Sequence, residues 1–259
     1  MKMLFWRAFK LMRLLGHLFS GYIKVRWGWH GLSPEQAQIE VLTWSKTTLN
    51  VLGVEVKVYG DMAQAGPLLL VSNHISWLDI LLFLSLRPVR FVSKAEVESW
   101  PIVGHYAHAC RTLFIKRTIK RDALKLVQIM SEALSMGDMV AIFPEGTTTT
   151  GVEVLPFHAN LFESARASNA SIQAASILYV SSSKHEPITT PSFTGSDTLV
   201  GSIWRILGLK EFEVWVNWGD VQEPILGQDR RSLAKQSWSE VQRLHAQLKS
   251  QAVSASSED

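Results

Sequence analysis

Among the 259 residues there is a single cysteine, Cys110, so no disulfide can form within the chain. The fold must therefore close on its apolar core alone, and a reducing compartment is the easier home for it. Acidic residues are missing from the entire amino end: Lys2, Arg7, Lys10, Arg13, Lys24 and Arg26 all precede the first of them, Glu35. Long apolar runs are missing too. Arg7, Lys10, Arg13 and His17 break up the amino-terminal apolar sequence, and no stretch reaches the ~18 to 20 residues of an uninterrupted membrane span. A secretory signal would need a cleaner apolar stretch with a small-residue cleavage site, and an organelle transit peptide more serine. The chain carries no G-x-S-x-G elbow, no Walker A loop and no G-x-G-x-x-G fingerprint, which disfavours serine-hydrolase and nucleotide-binding chemistry. Repeats and interdomain linkers are also lacking, and this predicts one domain.

What is present is ample apolar material, 47% of residues, enough to bury a full core without metals or staples. Strand-like runs occur at Val54 to Tyr59, Pro67 to Val71, Val89 to Ser93, Thr112 to Lys116, Val140 to Phe143, Ile172 to Tyr179 and Phe212 to Trp218. Helical spacing occupies Ser76 to Leu86 and Arg121 to Met136, the latter stopped by Gly137, and a last helix spans about Asp229 to Lys249. This alternation predicts an α/β fold: a single domain with a mixed, mostly parallel sheet flanked by helices. The expected organisation is a membrane-associated amphipathic helix in residues 1–30, a main domain in 31–249 and a disordered Ser/Ala/acidic tail in 250–259.

At 100° per residue, Lys2, Arg7, Lys10, Arg13, His17 and Lys24 share a face of roughly 140°, with Leu4, Phe5, Phe9, Met12, Leu15 and Phe19 largely off it. Such a helix is expected to lie on a membrane surface and not to cross it, and Trp6, Trp27 and Trp29 suit an interfacial position. A solvated helix packed on the domain has the same pattern. The modest net charge of +3 is concentrated in this segment, so nucleic acid is not an expected partner.

Two segments bear chemistry. Asn73-His74-Ile75-Ser76-Trp77-Leu78-Asp79 places a titratable base and a carboxylate five residues apart, directly after a strand-like run. A base at a strand's carboxyl end, oriented by an acid on the following turn, suits proton abstraction from a hydroxyl. Ser76 followed by Asp79 is also a helix-capping arrangement, and the two readings are compatible. The second segment, Phe143-Pro144-Glu145-Gly146-Thr147-Thr148-Thr149, is a strand exit with one carboxylate and several hydroxyls; a plain turn would look similar. Open α/β sheets bind ligands at strand carboxyl ends, so both loops are expected to share a crevice. Lys94 and Lys116-Arg117 follow two further strands, and Arg117 is the better anion ligand because guanidinium pairs bidentately with phosphate. His105 and His108 have metal-ligand spacing but no third ligand nearby in sequence, so no metal is expected.

Taken together, the order of these motifs resembles the phospholipid/glycerol acyltransferase family, which includes the 1-acylglycerol-3-phosphate acyltransferases. Asn73 to Asp79 is similar to its N-H-x4-D block, Leu113-Phe114-Ile115-Lys116-Arg117 to its F-I-x-R block, Phe143 to Thr147 to its F-P-E-G-T block, and Lys94-Ala95-Glu96 to its K-x-E segment. The chain departs from the pattern at Arg111, where glycine is usual, at Thr148, where arginine often stands, and at Ile172 to Ile177, which lacks the usual proline. The resemblance implies that His74 acts as base with Asp79 orienting it, while Lys94, Arg117, Glu145, Gly146 and Thr147 bind the acceptor. It implies transfer of an acyl group from acyl-CoA or acyl carrier protein, as donor substrate and without a cofactor, to a lysophospholipid hydroxyl. The acceptor it implies first is 1-acylglycerol-3-phosphate. A lyso-ornithine lipid is the competing acceptor, because an F-P-E-G-T-T variant is similar to that of bacterial members acting on such lipids; a non-catalytic lipid-binding protein is the competing class. Peripheral residence on the cytoplasmic face of a bacterial inner membrane is expected.

Overall fold

The computed structural model describes residues 2–100, 103–115, 120–223 and 227–256. Seven strands form one sheet: β1 (Val54–Tyr59), β2 (Leu68–Ser72), β3 (Arg90–Lys94), β4 (Leu113–Ile115), β5 (Met139–Ile142), β6 (Ser171–Ser181) and β7 (Phe212–Gln222). Their spatial order is β1-β7-β6-β2-β5-β3-β4. Every neighbouring pair is parallel except β6 with β7, which is antiparallel. The α/β class and the mostly parallel sheet are those expected from the alternation of apolar runs.

Among the described residues eight α-helices cover the sheet: α1 (Lys2–Ile23), α2 (Pro34–Leu52), α3 (Leu78–Leu86), α4 (Val103–Ala109), α5 (Lys120–Ser135), α6 (Glu163–Ser168), α7 (Leu199–Leu207) and α8 (Arg230–Ser256). Strand β2 is buried on both faces, which is why it reads as a continuous apolar run and not an alternating one. Its Leu68 and Leu70 join a core with residues of α1, α2, α3 and α7, including Leu14, Leu49, Leu52, Leu82 and Ile206. Leu69 and Val71 point the other way, into a core with Leu126 and Met130 of α5, Ala165 of α6, and Val241 and Leu244 of α8.

Helix α2 escaped the apolar-period reading although its start is marked. Ser33 accepts from the Gln36 amide, the Gln36 side chain accepts from the Ser33 amide, and Pro34 occupies the first helical position. That reciprocal pair satisfies two of the amide donors a helix start leaves unpaired.

One expectation is corrected. Residues 250–256, expected as disordered tail, continue α8, because Leu248 and Ala252 bury themselves against Leu178, Val180 and Trp215; residues 257–259 lie outside the described residues. Helix α1 packs on the domain against α2 and α7. Part of its basic face points inward, with Lys10 buried and Arg7 and His17 half-buried, while Arg13 and Lys24 stay exposed. Lys10 is buried, and its Nζ donates to the carbonyls of Leu52, Leu209 and Lys210, each at 2.9 Å. These carbonyls end α2 and follow α7, where unpaired acceptors and the negative dipole end attract a cation. His17 Nε2 contacts Thr48 Oγ1 at 2.9 Å. Leu4, Phe5, Met12, Leu15 and Phe19 consequently point outward and are exposed. Among the described residues no helix is long and apolar enough to cross a membrane.

Candidate active site

The carboxyl ends of β2 and β5 lie side by side, because the two strands are parallel neighbours in register from Leu68 opposite Met139 to Val71 opposite Ile142. The two chemistry-bearing segments leave the sheet there together. Asn73 holds the first to the sheet by imitating a strand residue: its Nδ2 donates to the Ile177 carbonyl at 3.0 Å, and its Oδ1 accepts from the Ile177 amide at 2.8 Å. Next comes His74, whose Nδ1 is 2.8 Å from Asp79 Oδ2. Asp79 lies in the first turn of α3 and is fully buried. Its Oδ2 also accepts from the amides of Ile75 at 2.7 Å and Ser76 at 2.9 Å, and its Oδ1 from the Tyr179 hydroxyl at 2.6 Å. One carboxylate thus does two things: it binds the Ile75 and Ser76 amides of the turn that leads into α3, and it orients the imidazole.

With the carboxylate accepting at Nδ1, the proton of the neutral ring sits there and Nε2 carries the lone pair. Nε2 has no hydrogen-bond partner among the described residues. One face of the ring lies on Phe143, with centroids 3.9 Å apart and planes 6° from parallel. The side chain retains 19% exposure while Asp79 has none. The arrangement is a lone pair at the surface, backed by a buried anion.

Glu145 is buried, and both its carboxylate oxygens are occupied by backbone: Oε1 accepts from the His74 amide at 2.7 Å and Oε2 from the Leu155 amide at 2.9 Å. Burial pushes its carboxyl above the usual range, and the two amide bonds with the nearby His74 hold it partly back. Its observed contacts tie the His74 loop to the loop that carries Leu155. Thr149 adds a third strap, its amide donating to the His74 carbonyl at 2.8 Å. Gly151 must be glycine for this closure, since at its φ of 76° a Cβ would lie 2.5 Å from Ile75 Cδ1. Gly146 and Thr147 are exposed at the rim, and the Thr148 hydroxyl donates to the Phe193 carbonyl.

Of the residues singled out in the sequence, His74 is hydrogen-bonded to both Asp79, through its ring, and Glu145, through its amide, and Gly146 and Thr147 follow Glu145 in the same loop. Lys94 ends β3, and its side chain is not among the described ones; Arg117 and Lys116 lie outside the described residues. His105 and His108 go elsewhere: His105 packs edge-on to Tyr22, and His108 Nε2 is 3.2 Å from Glu98.

Sequence reasoning missed Tyr179 and His245. His245 is buried in α8, its Nδ1 3.0 Å from Ser176 Oγ and its Nε2 2.9 Å from the Gly151 carbonyl, so it holds the loop that straps His74. Burial, reinforced by the Lys249 charge, lowers its pKa to about 4 and keeps it neutral. Tyr179 sits in an apolar strand and His245 on a helix face, so only their hydrogen-bond partners distinguish them from packing residues.

The sequence pattern of the Acyltransferase family matches residues 55–178. The chain is 32% identical over 231 residues to a 1-acyl-sn-glycerol-3-phosphate acyltransferase of Neisseria gonorrhoeae, covering 88% of this chain and 89% of that one. It is 37% identical over 196 residues to a lyso-ornithine lipid O-acyltransferase of Pseudomonas aeruginosa, covering 75% and 73%. In fold it is similar to the crystal structure of the 1-acyl-sn-glycerophosphate acyltransferase of Thermotoga maritima, with a TM-score of 0.65 at 21% identity over 94% of this chain and 98% of that one.

Proposed function

Because this chain belongs to the acyltransferase family, we propose that it moves a fatty acyl group from a thioester donor, acyl-CoA or acyl carrier protein, to the free hydroxyl of a lysolipid. The observation that carries the reading is the His74 ring, pinned at Nδ1 by buried Asp79 with its Nε2 lone pair unpartnered and at the surface. Nε2 takes the proton of the acceptor hydroxyl, and the oxygen attacks the thioester carbonyl carbon. The carbon–sulfur bond breaks, and the departing thiolate takes the proton back from the imidazolium. No covalent acyl-enzyme is required. Asp79 steadies the transient imidazolium by its charge, and Glu145 holds the His74 backbone at the depth this transfer needs.

The acceptor proposed first is 1-acylglycerol-3-phosphate, the product then being phosphatidic acid; Arg117, with Lys94, neutralises the phosphate and the Gly146–Thr147 rim receives the glycerol. A second reading, acylation of a lyso-ornithine lipid, is favoured by Thr148. Its hydroxyl is turned to the Phe193 carbonyl, so this position offers no cation to a phosphate.

Access is from a membrane surface on its cytoplasmic side, with α1 as the docking element. Its apolar stripe, Leu4, Phe5, Met12, Leu15 and Phe19, is exposed while Lys10 on the opposite face binds the domain, which suits burial at the boundary between head groups and acyl chains. The test assays the purified enzyme on lysophosphatidic acid and lyso-ornithine lipid, each with acyl-CoA and acyl carrier protein, beside H74A. The reading expects turnover of one acceptor by the parent and none by the variant; equal rates in the two would refute His74 as base.

A further inference from the structure

The Asp79 carboxylate is held unevenly. Its Oδ2 accepts from His74 and from the amides of Ile75 and Ser76, all within seven residues of one another in the chain, whereas the donor recorded on Oδ1 is the hydroxyl of Tyr179, one hundred residues away on β6. Both side chains are almost completely buried, Asp79 at 0% and Tyr179 at 1% exposure. The 2.6 Å separation is that of a short, charge-assisted O–H to carboxylate bond.

A carboxylate turns easily about its last torsion, because that well is broad and nearly two-fold. Three donors on one oxygen bring His74 to Asp79 but leave the second oxygen facing dry core with its share of the charge. A donor on Oδ1 blocks the turn and supplies the solvation that burial removed. Tyr179 is itself rigidly mounted: it lies near the carboxyl end of β6, paired with Val214 of β7, its carbonyl accepts from the Ile188 amide at 2.9 Å, and its ring packs beside Phe212. Burial first, then the Asp79 charge, raises its phenol well above the ordinary range, so it remains a neutral donor.

We propose that Tyr179 is a positioning residue of the acyl-transfer site, holding the Asp79 carboxylate aimed so that its other oxygen fixes the His74 tautomer. No proton passes along the chain of three. The proposal rests on the reading of His74 as base and extends it to a residue with no contact to substrate.

The test is Y179F in the full chain, assayed for acyl transfer as a function of pH beside H74A and D79N. Expected are a melting temperature near the parent's, a fall in kcat of about 10-fold or more, and a KM for the acceptor within about twofold. The acid limb of the pH–rate profile should move to higher pH, because the Asp79 carboxylate, short of one donor, carries more uncompensated negative charge and holds the imidazolium proton more tightly. In the D79N background the same replacement should cost much less, since its target is gone. A parent-like kcat and acid limb in Y179F, or an equal loss in the D79N background, would overturn the positioning role. Activity surviving in H74A would instead remove the premise. Should Y179F fold poorly, replacing Tyr179 by 3-fluorotyrosine keeps the ring and changes the acidity of the phenol; an acid limb that moves with fluorination supports the role, and an unmoved limb overturns it.

Discussion

Lys10 and Asp79 are both charged residues buried in this fold, and they serve opposite ends. Lys10 donates three hydrogen bonds, all to backbone carbonyls at the ends of helices, and its partners lead nowhere. Burial lowers its pKa, opposed by the Glu211 charge and helped by Arg13. Asp79 is as well satisfied, but one of its four donors is a side chain that reaches the surface and exposes a second nitrogen. Either charge would be costly if left unpaired. The comparison teaches that a buried charge stays structural when its partners are closed and becomes chemical when one of them relays it to solvent.

The sharpest way to break that comparison is at the relay. H74A is expected to lower kcat by about three orders of magnitude, with the melting curve little changed, as measured by product formation at saturating donor. K10M should do the reverse. Stranding three carbonyls beside an apolar side chain is expected to cost roughly 3 kcal/mol in denaturant unfolding while the folded fraction keeps its specific activity; a loss of activity at unchanged stability would reverse the roles assigned here.

His245 tests whether the scaffold behind the relay responds to pH. Its folded pKa of about 4 lies below the ordinary histidine value of 6.5, so between these two values the unfolded chain binds a proton that the native chain does not. Its contribution to stability is therefore complete above about pH 6.5, declines as pH falls towards 4, and levels off below. The span amounts to about 3 kcal/mol, and H245Q should flatten that part of the stability–pH curve. The smallest effect on stability belongs to the outer face of α1. Changing Met12 or Phe19 to Asp should alter folding by less than about 0.5 kcal/mol, because these side chains bury little in the fold, yet it should reduce co-sedimentation with anionic liposomes; undiminished binding would remove α1 as the docking element.

Much of this was legible in the chain. Strands β1 to β5 fall within a residue or so of the apolar runs: β2 and β5, buried along their whole length, read as continuous apolar segments, whereas β1 alternates apolar with charged residues. The H-x4-D spacing identified the dyad, since five residues bridge a strand end and the first turn of a helix. Helix α2 was less visible, with polar and apolar residues mixed along much of its length, although its capping pair was there to be read. The length of α8 was hidden by composition: in its last turns Ala252 is buried in a cluster with Leu248 and Trp215, and small residues give no periodic signal.

By itself, the sequence determined the α/β class, the His74–Asp79 pair and the amphipathic division of α1, since each follows from local spacing. Only the tertiary structure decided which face of α1 turns inward, that both Glu145 oxygens bind backbone amides, and that Tyr179 completes the shell around Asp79. Those outcomes depend on partners 42 to 200 residues away for Lys10, 10 and 71 for Glu145, and 100 for Tyr179. A buried polar atom takes whatever complementary group the fold brings to it.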